Sequence, residues 1–364
     1  MSNSDCLRNA KNAKNDEFYT LLTDLEYELT RPDYAKQLEG KTVYCNCDNP
    51  EWSNFFVFFK LHFKQLKMKK LITTHYNKDD TPSYKIEWCG EMLNDDMVNL
   101  IKTPLKGNGD FRSDECIEIL KEADIVVTNP PFSLYREYVS LLIEYDKKFI
   151  IIGNKNSIAY KEIFPLLKDG KMFVGYNAGK GTMHFATKII NNTDIGEVTH
   201  SVPSYWFTNL DIDKSHEPLI LTKNYYGNES RYPKYDNYDA IECSKVKDIP
   251  KDYFPCWYDC PHSSTCEYAK TEGKEKDKAL CEMARNGEIG VPITYMAKHC
   301  EEQFEILGSD NDFARNMKDI AEEGTYEKGG PSFYLNNDLA HGRFYVKKNY
   351  KYQRLYSRLV IRRM

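Results

Sequence analysis

The chain has 364 residues, 41% of them hydrophobic and 29% charged, with a formal net charge of −5. These values describe a globular chain of about two domains and exclude a disordered or fibrous one, while no apolar run reaches the ~18 residues of a spanning helix. The start, Met1 to Asp5, has neither the basic nor the apolar region of a secretory signal, so the expected compartment is the cytoplasm, where the eleven cysteines stay reduced.

In chain order, Val43–Cys47 reads as a strand and Glu51–Leu66 as a helix whose aromatic face is Phe55, Phe56, Phe59 and Phe63. Lys70–Thr74 and Ser83–Trp88 read as strands, Cys116–Ala123 as a helix and Asp124–Thr128 as a short buried strand. A helix over Tyr135–Tyr145 and a buried strand over Phe149–Ile152 follow. Branched apolar runs alternating with amphipathic stretches predict an α/β fold whose parallel strands are covered on both faces. After about Leu210 that rhythm stops, and Tyr, Asn, Asp and Lys crowd 213–251. The expected domains are therefore 1–210 and 211–364.

The sharpest chemical signal is Thr128-Asn129-Pro130-Pro131-Phe132, directly after a predicted strand. Two prolines neither continue a ladder nor begin mid-helix, so they fix a rigid turn at the strand's carboxyl end, the edge where open α/β sheets bind ligands. There the Asn129 side chain and the Pro130 carbonyl are two acceptors, and Phe132 is an aromatic face beside them. That set suits a planar ligand bearing an exocyclic amino group.

Two further features leave alternatives open. From Gly342 to Met364 there are eight basic residues and no acid, interleaved with Tyr345, Tyr350, Tyr352 and Tyr356, so the rest of the chain carries −13. This is either a nucleic-acid contact or an edge strand protected by charge. Cys256, Cys260, Cys266 and Cys281, spaced C-x3-C-x5-C-x14-C in a polar stretch near 256–285, are either ligands of zinc or an iron–sulfur cluster, or unpaired thiols in a loop. Cys45 and Cys47 alternate along one strand and read as core residues.

Asn129-Pro130-Pro131-Phe132 resembles the catalytic motif of amino-group methyltransferases acting on adenine in DNA. Phe18-Tyr19-Thr20 is similar to the segment that closes over the methionine end of the cofactor in such enzymes, and Val43 to Pro50 to the first strand and its loop, with Asp48 and Pro50 in the Asp-x-Pro positions. Asp110-Phe111 is similar to the segment at the cofactor's adenine, and Gly290-Val291-Pro292-Ile293-Thr294-Tyr295 and the Arg-rich end extend the likeness. Together these resemble the EcoRI-type adenine DNA methyltransferase family, with a motif order like the one termed gamma. The glycines usual in the cofactor loop are absent; Ser53 and Asn54 stand there instead.

The resemblance implies a Rossmann-like sheet that binds S-adenosylmethionine, followed by a C-terminal α+β target-recognition region. It implies site-specific methyl transfer to adenine N6, flipped out of duplex DNA and stacked on Phe132, by a monomer within a restriction-modification pair with a cognate endonuclease and without a membrane. The same chemistry on RNA or on a protein glutamine, and a catalytically degraded DNA-binding module, are the competing readings.

Overall fold

Four strands that the sequence marks by branched apolar residues lie side by side and parallel, and the rest of the first unit is arranged around them. The computed structural model describes residues 19–47, 49–51, 53–77, 79, 81–90, 101–179, 182–191, 194–253, 287–320, 342–348 and 351–364. The chain divides into two units, Met1–Lys214 and Ser215–Met364.

The first unit begins with β1 (Tyr19–Thr20), α1 (Leu22–Leu29), α2 (Pro32–Leu38), β2 (Thr42–Cys45), α3 (Asn54–His62), β3 (Lys70–Thr74), β4 (Tyr84–Trp88) and β5 (Lys102–Pro104). It continues through α4 (Asp114–Glu122), β6 (Ile125–Thr128), α5 (Tyr135–Glu144), β7 (Lys148–Asn154), β8 (Phe173–Val174), β9 (Met183–Asn191), β10 (Asp194–Val202) and β11 (Ser204–Thr208). Eight strands form one sheet in the order β5-β4-β3-β2-β6-β7-β11-β8. The central run β3-β2-β6-β7 is parallel and the flanking pairs are antiparallel.

Burial explains the composition of these strands. All four residues of β2 and of β6 are buried, as are five of the seven in β7, so a two-residue alternation has no exposed face to mark. Asp124 sets the register where β2 and β6 begin: its carboxylate accepts from the Thr42 amide at 2.8 Å and its own amide donates to the Thr42 carbonyl at 2.9 Å. The expected helix over 51–66 is shorter, because Ser53 caps it at Asn54 and the chain leaves it after His62 for a left-handed residue at Lys67 (φ 50°). It buries Phe55, Phe56, Phe58 and Phe59, with Phe63 just beyond its end. Cys45 is fully buried, but Cys47 is only half-buried and belongs to the rim of the sheet rather than to the core.

The second unit holds a four-stranded sheet in the order β12 (Ile241–Glu242), β13 (Glu288–Pro292), β17 (Arg358–Arg363), β14 (Phe304–Ser309), and a hairpin of β15 (Tyr345–Lys348) and β16 (Lys351–Arg354). With its short helical turns it is an α+β region. The basic tail is an edge only in part: β17 is central, paired to β13 and β14, whereas among the described residues β15 and β16 pair only with each other; Tyr345 and Tyr352 are buried and Tyr356 is exposed. Gly290 on β13 is required by close approach, since a Cβ there would lie 1.8 Å from the Tyr235 hydroxyl. Among the described residues no helix is long and apolar enough to cross a membrane.

Candidate functional site

The chain enters the central sheet at β2, goes to β3 on one side and returns to β6 on the other. The carboxyl ends of β2 and β6 thus form the reversal point at which doubly wound sheets open a ligand crevice. After β6 come Asn129, half-buried, Pro130, buried, and Phe132, half-buried. The Pro131 carbonyl is taken by the Leu134 amide at 3.0 Å, which starts the short helical turn Phe132–Leu134 that leads into α5. Among the described residues nothing donates to the Pro130 carbonyl.

Two residues not singled out from the sequence tie the two strand ends together. Asn46, directly after β2, is 2% exposed, and its Oδ1 accepts from the Tyr138 hydroxyl at 2.5 Å. Tyr138 lies on α5, and burial pushes its phenol well above the ordinary value, so the phenol stays a donor. The Cys47 amide donates to Thr128 Oγ1 at 3.2 Å, closing β2 against β6. The available signal was position: Asn46 follows a buried strand as Asn129 does.

Asp110 and Phe111 reach the same edge. The Phe111 ring meets Tyr138 edge-on at 5.0 Å. Arg112 Nε and Nη2 donate to the two Asp110 oxygens at 2.9 and 2.6 Å, holding that carboxyl below its usual range, and Nη1 lies 3.4 Å from Glu137 on α5. Gly109 (φ +81°) brings this loop against the end of β3, where a Cβ would meet the His75 carbonyl at 2.0 Å, and the Asn77 amide donates to Asn108 at 2.8 Å.

The N-terminal segment arrives by strand pairing. β1, β9 and β10 make a separate sheet in which Tyr19 opposes Ala186 and Thr20 opposes Phe185. The buried Phe185 ring packs edge-on against Phe132 at 6.3 Å. Asn54 Nδ2 donates to the Thr20 carbonyl at 2.8 Å, linking this segment to the loop after β2, and Ser53 Oγ accepts from the Phe55 amide at 3.1 Å. In that loop Pro50 is buried and Asn49 Oδ1 accepts from the Glu51 amide at 3.0 Å. Thr20 Oγ1 is buried without a hydrogen-bond partner among the described residues.

Asn129, Pro130, Phe132, Tyr19, Thr20, Pro50, Asp110 and Phe111 are thus described on one unit, linked through Phe185, Tyr138 and Asn54. Phe18 and Asp48 lie outside the described residues, as do Cys256, Cys260, Cys266 and Cys281. Among the described residues no group of three His, Cys, Asp or Glu is arranged to hold a metal ion.

The model of the family described as adenine-specific methyltransferase EcoRI matches residues 6–257. The chain is similar to the type II methyltransferase M.EcoRI of Escherichia coli, 41% identical over 320 residues that cover 83% of this chain and 88% of that one. It is also similar to the type II methyltransferases M.MgeORF184P of Mycoplasma genitalium and M.MpnI of Mycoplasma pneumoniae. The first is 37% identical, covering 82% of this chain and 84% of its own; the second is 35% identical, covering 82% and 83%.

Proposed function

The chain belongs to the EcoRI-type adenine-specific methyltransferase family, and on that premise we propose that Asn129, Pro130 and Phe132 carry its DNA adenine methylation. The observation that supports this most is the position of Asn129-Pro130-Pro131-Phe132 at the carboxyl end of β6, where the strand order reverses beside β2.

The residues present fit S-adenosylmethionine, the methyl donor such an enzyme uses. Thr20 offers a buried hydroxyl without a partner, Asn54 holds its segment in place, and Asp110 and Phe111 offer an ionised carboxylate and a ring wall at the same edge. Phe18, Tyr19, Thr20, Asp48 and Pro50 would hold the amino-acid end, and Asp110 and Phe111 the adenine. When bound, the cofactor supplies an electrophilic methyl group.

The adenine amino group is a poor nucleophile because its lone pair is delocalised into the ring. Hydrogen bonds from its two N–H groups to Asn129 Oδ1 and to the Pro130 carbonyl draw N6 toward tetrahedral geometry and aim the lone pair at the methyl group. The prolines hold the two acceptors still, which is orientation settled before the reaction. A base inside a duplex cannot reach this turn, so it is flipped out and stacked on Phe132, a contact worth about 1–3 kcal/mol. Residues 1–210 supply this chemistry, and 211–364 recognise the target. On the same reading the enzyme works in the cytoplasm as a monomer, beside an endonuclease that cuts the same site unmethylated.

The test is Asn129→Ala, assayed with labelled S-adenosylmethionine and unmethylated duplex DNA. Loss of one orienting hydrogen bond is worth roughly 1–3 kcal/mol, about one to two decades in rate, with the calorimetric heat of cofactor binding retained. Equal loss of transfer and cofactor binding would overturn the assignment.

A further inference from the structure

Four of the eight tail cations that read as a polyanion contact are engaged inside the second unit. Arg343 pairs with the buried Asp310 at 3.2 Å, Arg358 with Glu242 at 2.8 Å and Arg362 with Glu305 at 2.8 Å, and Arg363 donates to the Lys251 carbonyl. A different set of cations in the same unit is left over. Lys223 and Arg231 are exposed and form no ion pair among the described residues. They flank two adjoining cavities of about 220 and 160 Å³. Lys245 and Lys247 are exposed close by in sequence, again with no ion pair among the described residues.

The lining of these cavities is polar and firmly held. Thr222, Asn224 and Asn228 line the larger one. Tyr232, common to both, is buried and donates its hydroxyl to the Asp248 carbonyl at 2.9 Å. Its ring packs on Tyr225, which packs on Tyr253 at 4.6 Å. Two acids of this stretch are committed to backbone: Asp252 accepts from the Tyr225 amide at 2.6 Å and Glu229 from the Gly227 amide at 2.9 Å. Among the described residues Asp248 is the one acid lining either cavity. Unpaired Lys and Arg beside Asn and Thr donors on a rigid base is the donor set that phosphate oxygens take.

We propose that Lys223 and Arg231, supported by Lys245 and Lys247, grip the phosphodiester backbone of duplex DNA. This rests on the reading of duplex DNA as the substrate. The contact is independent of sequence: it anchors the duplex while other groups read the bases.

The experiment compares the full-length protein with Lys223→Gln/Arg231→Gln, and with Arg362→Gln as a control on an internally paired tail cation. Binding to a cognate and a scrambled duplex is measured across a salt series, with cofactor heat as the check on folding. Each phosphate contact contributes about 0.9 to the slope of log K against log salt. The double variant is expected to lose close to twice that and to weaken on both duplexes by the same factor, while the control keeps the wild-type slope. An unchanged slope in the double variant, with the wild type binding DNA, would overturn the proposal. Failure of the wild type to bind duplex DNA would instead overturn the substrate reading beneath it.

Discussion

Glu28 in the first unit and Glu242 in the second are both buried carboxylates, and the chain meets them differently. Glu28 accepts from the backbone amides of Tyr176 at 2.7 Å and Asn177 at 2.9 Å and from the Tyr34 hydroxyl at 3.3 Å. No cation is within ion-pairing distance of it among the described residues, and burial raises its pKa to about 7. Glu242 accepts from Arg358 Nε at 3.0 Å and Nη2 at 2.8 Å and from the Tyr235 hydroxyl at 2.5 Å. In the first unit, at Glu28, backbone dipoles and a phenol do the holding. In the second, full charges are locked in pairs through the sheet, so the number of arginines in a segment says little about what that segment presents to a partner.

The largest expected effect breaks the second arrangement. Arg358→Leu strands Glu242 in the interior, and removing one partner of a buried pair costs about 3–5 kcal/mol. The denaturant midpoint should fall accordingly. Glu242→Leu combined with Arg358→Leu should recover much of the loss, because no buried charge then remains. A single variant within about 0.5 kcal/mol of wild type, the range of ordinary surface changes, would mean that the pair is not closed to water.

Breaking the first arrangement gives a smaller effect that depends on pH. The folded pKa of Glu28, about 7, lies above the 4.5 of an ordinary carboxyl. The folded state therefore binds this proton more tightly than the unfolded chain, and stability falls as pH rises from about 4.5 to about 7. Its full span is at most about 3 kcal/mol. Glu28→Gln removes that slope. Gln also loses one acceptor for the two amides, so the measurement is the change of melting temperature between pH 5 and pH 8, not the melting temperature itself. A slope unchanged in the variant would assign the pH dependence to other groups.

What the sequence made legible follows the same division. The strands β2, β6 and β7 and the Asn-Pro-Pro-Phe turn are local signals, since a branched run and two prolines constrain their own backbone. Contacts between distant segments were not legible. Glu242 and Arg358 are 116 residues apart, and Asn46 and Tyr138 are 92 apart, so neither pair leaves a mark on periodicity. β1 has two residues and exists as a strand because Tyr19 and Thr20 pair with Ala186 and Phe185. The tail tyrosines read as surface aromatics among bases, yet Tyr345 and Tyr352 turn inward on their hairpin strands while Lys347 stays exposed.

The smallest effect concerns the loop after β2, where glycines are missing and Ser53 and Asn54 stand in their place. The side chains have separate tasks: Ser53 Oγ caps α3 through the Phe55 amide, and Asn54 ties the loop to Thr20. If Ser53 is a cap and nothing more, Ser53→Ala and Ser53→Gly each cost about 1 kcal/mol of stability, because the cap is buried and either change leaves the Phe55 amide without its acceptor. Cofactor affinity then stays level in both variants. A hydroxyl that instead met the cofactor would lower affinity in both variants. Chemical denaturation and cofactor calorimetry on the two variants separate a loop that shapes its helix from one that touches the ligand.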